Sequence, residues 1–180
     1  MFFRYDDPVD DLILQWKGNA MDIFAFAMKM EQDGETFYRE LAQKTPHKGV
    51  ANILEMLADE EVKHYKAIKA IQGGAHTMSE TDVVGRARNI FQRLREFGDT
   101  FDTATDDIHL YRQAMKLEKQ SEDFYLDQAD QVTEPGQKQL FLQLAGEEKK
   151  HYYLLENIVD FVSRPQQWLE NAEFFHMEDY

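Results

Sequence analysis

The sequence predicts an all-α fold, a four-helix bundle assembled from two repeated helix pairs with a long crossover between them. Three observations carry this expectation. The stretch Ala58-Asp59-Glu60-Glu61-Val62-Lys63-His64-Tyr65 returns 87 residues later as Ala145-Gly146-Glu147-Glu148-Lys149-Lys150-His151-Tyr152. The same offset, without a gap, lays residues 27–71 on 114–158 with 17 identities in 45 positions. The retained residues include Glu31/Glu118, Glu35/Glu122, Tyr38/Tyr125, Glu61/Glu148 and His64/His151, so polar as well as apolar positions have survived the divergence. Finally, apolar residues in both halves recur at spacings of three and four, and no run of period two competes with them.

Residues 1–20, with Pro8, Gly18 and the apolar patch Leu12-Ile13-Leu14 beside Trp16, read as a packing arm or short helix. The first helix pair spans 22–71. Asp22 is a suitable N-cap, and Phe24, Ala27, Glu31, Gly34, Tyr38 and Leu41 then form one seam until Thr45-Pro46 stops the helix. The second helix, from about Lys48, carries Leu54, Leu57, Glu61, His64, Ile68 and Ile71 on its seam and ends at Gly73-Gly74. A short link between these two makes them antiparallel neighbours, whereas the long segment 75–105 is the crossover of a one-crossover bundle. Within it Val83, Ala87, Ile90, Phe91 and Leu94 mark a shorter amphipathic helix, with Arg86, Arg88, Arg93 and Arg95 on its polar face.

The second pair covers 106–162. Asp106 or Asp107 is the expected cap of the third helix, whose seam is Tyr111, Ala114, Glu118, Ser121 and Tyr125. Glu134-Pro135-Gly136 reads as the turn into the fourth helix, which shows Phe141, Leu144, Glu148, His151, Leu155, Ile158 and Val162 before Pro165. A tail, 163–180, contains Trp168, Phe174 and Phe175.

A chain of 180 residues with 43% hydrophobic content is long enough to form a single globular domain over its whole length. The absence of Cys excludes disulfides, thiol catalysis, thiolate zinc and Cys-ligated iron centres within these residues. A formal charge of −14 argues against nucleic acid or an anionic membrane as partner and favours cations. No stretch approaches ~18 consecutive apolar residues and no leader pattern opens the sequence, so a soluble, cytoplasmic protein is expected.

The seams carry the chemistry. Glu31, Glu61, Glu118, Glu148, His64 and His151 sit where the spacing otherwise places Leu, Ile, Phe and Ala, and therefore face the core. In each repeat a Glu precedes a His by three residues, which on a helix sets both on one face as a two-pronged claw. Four buried carboxylates repel one another and each resists losing water, so the bundle needs counter-charge. Two divalent cations balance four carboxylates, and two neutral imidazoles add nitrogen donors without further charge. Such an oxygen-rich set, with one imidazole per metal, suits iron or manganese.

One Glu from each of two helices with Glu-x-x-His from each of the other two is the arrangement of ferritin-like di-iron and di-manganese carboxylate bundles. The runs Phe26-Ala27-Met28-Lys29-Met30-Glu31 through Tyr38 and Leu57 through Tyr65, with their second copies, resemble the rubrerythrin family of that superfamily, in a form without a rubredoxin domain. By that resemblance Glu31 and Glu118 are single-Glu ligands, Glu61 and Glu148 bridging carboxylates, and His64 and His151 terminal nitrogen ligands. Tyr38 and Tyr125 are the catalytic candidates, placed behind the ligands with hydroxyls that reach a ligand carboxylate of a neighbouring helix. Glu35 and Glu122 are possible additional ligands. Many rubrerythrins carry a further ligand Glu where this chain has Ser121, which puts the usual peroxidase chemistry in question.

The resemblance implies a di-iron oxidoreductase, with two iron or alternatively manganese ions, that reduces hydrogen peroxide or dioxygen with electrons from a separate donor. That donor is expected to be rubredoxin-like, and the chain a homodimer. The alternatives are a ferroxidase or iron-handling protein, and a structural or di-manganese site.

Overall fold

The structure, a computed structural model, describes residues 22–72, 74, 78, 82–97 and 105–163. The expected arm over 1–20, the tail beyond Ser163 and parts of the crossover lie outside the described residues. Five helices follow one another and no strand occurs among the described residues: α1 (Ile23–Lys44), α2 (Lys48–Gln72), α3 (Val83–Phe97), α4 (Thr105–Gln131) and α5 (Pro135–Ser163). The architecture is the expected all-α ferritin-like bundle.

Helix boundaries follow local chemistry. The Asp22 carboxylate accepts from the Phe24 amide at 3.3 Å, and the chain leaves α1 through extended Thr45, whose amide still donates to the Leu41 carbonyl at 3.0 Å. Gly74 adopts φ +86° just beyond α2, a left-handed conformation that glycine takes without a Cβ penalty. Asp82 caps α3 through the Gly85 amide at 3.2 Å. The turn assigned to Glu134-Pro135-Gly136 is corrected. Pro135 and Gly136 are the first residues of α5, and Glu134 is its cap, accepting from the amides of Gly136 at 3.0 Å and Gln137 at 2.7 Å. Proline suits this first position because its missing N–H would be unpaired there anyway. Likewise α4 begins at Thr105, slightly before the expected Asp106 or Asp107.

Helices α1 and α2 pack as one pair and α4 and α5 as the other, while α3 lies against α2 and α5. The core divides into two apolar clusters. One gathers Leu41, Leu54, Leu57, Phe91, Tyr111, Leu155 and Ile158, and the other Phe26, Met30, Ile68, Phe124, Phe141 and Leu144. Along each of the four long helices the first cluster and the second lie on either side of the Glu and His positions. A polar layer thereby lies between two apolar ones, which shield it above and below through side chains whose burial is worth roughly 25 cal/mol per Å².

Candidate metal centre

Each of the four long helices delivers its seam residues to that layer: Glu31 from α1, Glu61 and His64 from α2, Glu118 from α4, Glu148 and His151 from α5. All six are buried, none more than 4% exposed. They form two overlapping donor sets, Glu31, Glu61, His64 and Glu148, and Glu61, Glu118, Glu148 and His151, with the ligand atoms of each set within 4.8 Å of one another.

The distances give each residue a distinct place. His64 Nδ1 lies 3.2 Å from Glu31 Oε2, 3.1 Å from Glu148 Oε1 and 3.6 Å from Glu61 Oε2. His151 Nδ1 lies 3.5 Å from Glu118 Oε1, 3.2 Å from Glu61 Oε1 and 3.7 Å from Glu148 Oε2. Glu61 and Glu148 therefore each turn one oxygen toward each imidazole, whereas Glu31 faces only His64 and Glu118 only His151. The two halves match within a few tenths of an ångström, so the 87-residue sequence repeat has become a local two-fold axis through the cluster. The imidazoles stack across it, with ring centroids 5.3 Å apart and planes 15° from parallel. Each tyrosine crosses the axis: Tyr38 OH donates to Glu118 Oε1, and Tyr125 OH to Glu31 Oε1.

Burial and mutual charge set the protonation of the metal-free cluster. Burial, reinforced by Glu61, raises the Glu31 carboxyl from 4.5 to about 8. Burial also carries Glu148 well above the usual carboxylate range, with the charges of Glu61, Glu118 and Glu31 adding to it. For Glu61 burial pushes the same way, but the adjacent His151 and His64 outweigh it and hold the carboxyl below its ordinary value. Burial alone would lower both imidazoles; Glu148 and Glu31 around His64, and Glu118 and Glu61 around His151, raise them instead. Both phenols are raised, by burial first and then by the carboxylates, and so remain hydroxyl donors. Protons thus supply the positive charge when metal is lacking.

The donor atoms fit a pair of metal ions. Glu61 Oε1, Glu148 Oε1, His64 Nε2 and both ring nitrogens of His151 are buried without a hydrogen-bond partner. Several lie close to an opposite number yet without hydrogen-bond alignment, as expected where lone pairs converge on a shared cation rather than on each other. The buried Glu/His cluster has the make-up of a two-metal site, and its oxygen-rich donors suit iron and manganese alike.

Glu35 and Glu122 do not join either donor set. Glu35 lies 3.5 Å from the Arg39 guanidinium, and Glu122 pairs with Lys119 at 2.9 Å. Sequence reasoning passed over Glu60 and Glu147, the residues before Glu61 and Glu148, which are also buried. Each receives a lysine three residues on, Lys63 and Lys150, at 2.8 Å, and Glu60 is further bound by Arg86 of α3 at 2.5 Å. Their retention at both ends of the repeat offset was the available signal. Between α1 and α4 a cavity of about 490 Å³ opens onto the cluster, lined by both Glu31 and Glu118, both Glu61 and Glu148, and the repeat pair Gly34 and Ser121.

The Rubrerythrin family model matches residues 22–159. Among solved structures a hypothetical protein from Pyrococcus furiosus is similar, with a TM-score of 0.59 and 25% sequence identity, covering 77% of this chain and 86% of that one. No curated protein matches the chain in sequence.

Proposed function

The chain belongs to the rubrerythrin family, and from that premise we propose that it is a di-iron oxidoreductase which reduces hydrogen peroxide or dioxygen with electrons from a separate donor. The observation that carries this reading is the pair of shared carboxylates, Glu61 and Glu148, each with one oxygen toward either imidazole. Glu31 with His64, and Glu118 with His151, would complete the coordination of the two ions. Iron bound there would supply an electron pair and Lewis acidity to the oxidant.

The protein's own groups do the rest. Tyr38 and Tyr125 fix the orientation of Glu118 and Glu31 across the axis and hold protons that burial keeps on the phenols. Among the described residues, the apolar clusters on either side leave the layer open only toward the cavity between α1 and α4, and the low local dielectric strengthens the charge interactions inside it. The 180 residues contain no Cys, so electrons would reach the centre from a rubredoxin-like carrier docking on a cytoplasmic homodimer. No helix among the described residues is long and apolar enough to cross a membrane.

A second reading, oxidation of Fe(II) by dioxygen as a ferroxidase, draws support from Ser121, which lines the cavity where many relatives place a further carboxylate. Stopped-flow absorbance separates the two. Anaerobic Fe(II)-loaded protein is mixed with equimolar hydrogen peroxide or with dioxygen, and the near-ultraviolet oxo-bridged ferric band is followed. Faster oxidation by peroxide is expected. Dioxygen matching or exceeding peroxide would move the ferroxidase reading ahead, and no band with either would overturn the di-iron assignment.

A further inference from the structure

The cavity between α1 and α4 is far larger than hydrogen peroxide needs. Peroxide has two heavy atoms and occupies on the order of twice the ~30 Å³ share of one water molecule, against about 490 Å³ here. Its inner end is the buried cluster, and its outer end lies at exposed Thr36 and Glu40. Between them the walls are Met30 and Leu117, a repeat pair, with Phe37 beside them. A volume of several hundred Å³, apolar walls and a few convergent polar groups describe a site for a small organic molecule.

Charge narrows the ligand. No Lys, Arg or His is among the described lining residues, and the carboxylates at the outer part, Asp33 and Glu40, are already paired with Lys29 and Lys44, so the walls offer an anionic body no cation and favour an uncharged one. The passage is held open by small residues at equivalent positions of the repeat, Gly34 and Ser121. A Cβ on Gly34 would already lie 3.4 Å from Cγ and Cδ of Glu61, so a longer side chain there would fill the space beside the shared carboxylate. A glycine inside a helix costs roughly 1 kcal/mol relative to alanine, and the open passage accounts for its use in α1.

We infer that the substrate of this centre is an uncharged alkyl hydroperoxide, with its O–O group at the cluster and its alkyl or aryl body against Met30, Phe37 and Leu117. This rests on the oxidoreductase reading above and names its substrate class. The reaction balances as ROOH with two electrons and two protons giving ROH and water. The O–O bond breaks, the separate donor of that reading supplies the electrons, and solvent supplies the protons.

The test has a binding arm and a reaction arm. Metal-free protein is titrated with the neutral fluorophore N-phenyl-1-naphthylamine and the probe is displaced with cumyl alcohol, the product of cumene hydroperoxide. Fe(II)-loaded protein is then mixed with cumene hydroperoxide or hydrogen peroxide, and the ferric band is timed. Wild type is expected to bind the probe, release it to cumyl alcohol and react with both oxidants. Leu117→Trp is expected to weaken probe and alcohol binding by ~10-fold or more through filling the apolar wall, and to lower the ratio of alkyl to hydrogen peroxide rates by a similar factor. If that variant does not fold, Thr36→Trp at the mouth decides in its place. Probe binding absent from wild type, or unchanged in the folded variants, would overturn the inference. Oxidation by hydrogen peroxide but not by cumene hydroperoxide would overturn it while leaving the parent reading intact; oxidation by neither would end both.

Discussion

Replacing Glu31 by Gln should stabilise the metal-free protein in mild alkali while impairing metal binding. Glu31 is 2% exposed, and burial followed by repulsion from Glu61 raises its carboxyl from 4.5 to about 8. A group whose folded-state pKa lies above its unfolded value contributes stability that is fully present below the unfolded pKa and is lost as pH rises through the folded one. Here that window runs from 4.5 to about 8. At about 1.36 kcal/mol for each tenfold change in proton affinity, ionising Glu31 in place would cost about 5 kcal/mol. His64, 3.2 Å away, favours the charged form of Glu31 and offsets part of this cost, so a net loss of roughly 2–3 kcal/mol is expected. Gln has the same shape, carries no proton to lose and can still accept the Tyr125 hydroxyl through its carbonyl. Urea unfolding in the presence of a chelator should therefore show Glu31→Gln near wild type at about pH 5 and ahead by roughly 2–3 kcal/mol at about pH 9. For a chain of this size that is a rise in Tm of roughly 5–10 °C. With iron bound the order should reverse, because the amide lacks the anionic oxygen. A metal-free wild type as stable as the variant at about pH 9 would refute the reasoning.

Further outcomes follow from the same layer and its surroundings. Loading the metal should raise stability by about 4 kcal/mol at a free-ion concentration 1,000 times Kd, seen as a calorimetric Tm shift that chelator reverses. Because Glu31, Glu148 and both imidazoles carry protons in the metal-free state, loading should release protons into a weak indicator buffer at neutral pH, and apparent affinity should rise with pH. Tyr38→Phe and Tyr125→Phe each remove one hydroxyl from a carboxylate, and should weaken metal binding ~10–100-fold in competition with a chelator. Arg86→Ala withdraws the cation that ties α3 to buried Glu60, and should cost about 1–3 kcal/mol in urea unfolding without changing metal stoichiometry.

The bundle was legible because its apolar residues keep helical spacing and because the repeat has no gap. The cluster was legible for a related reason: Glu and His stood at seam positions whose apolar neighbours one turn away are Leu, Ile, Ala and Met, and their identity survived in both halves. What escaped depends on contacts between elements distant in sequence. Glu60 and Glu147 stand one residue off the seam, and only the seating of α3, which brings Arg86 to Glu60, makes the first of them an internal tether. Glu35 and Glu122 share the repeat with the cluster residues yet turn to Arg39 and Lys119, since the seam position between each Glu and its Tyr is held by Gly34 and Ser121 instead. Pro135 reads in the sequence as part of the turn before the last helix, although the missing N–H that breaks a helix interior is harmless at its first position. The cavity beside Gly34 and Ser121 arises because α1 and α4 face each other across the cluster without closing over it, a feature of tertiary spacing that no helical periodicity encodes.

The most direct measurement is anaerobic titration of the metal-free protein with Fe(II), with bound metal counted by elemental analysis, on wild type and on His64→Ala and His151→Ala. Two ions per chain are expected for wild type, and each variant should lose the tight binding of one while retaining the other more weakly. A wild-type chain that binds a single ion or none, or one whose uptake continues far past two, would contradict a closed two-metal centre built on Glu61 and Glu148.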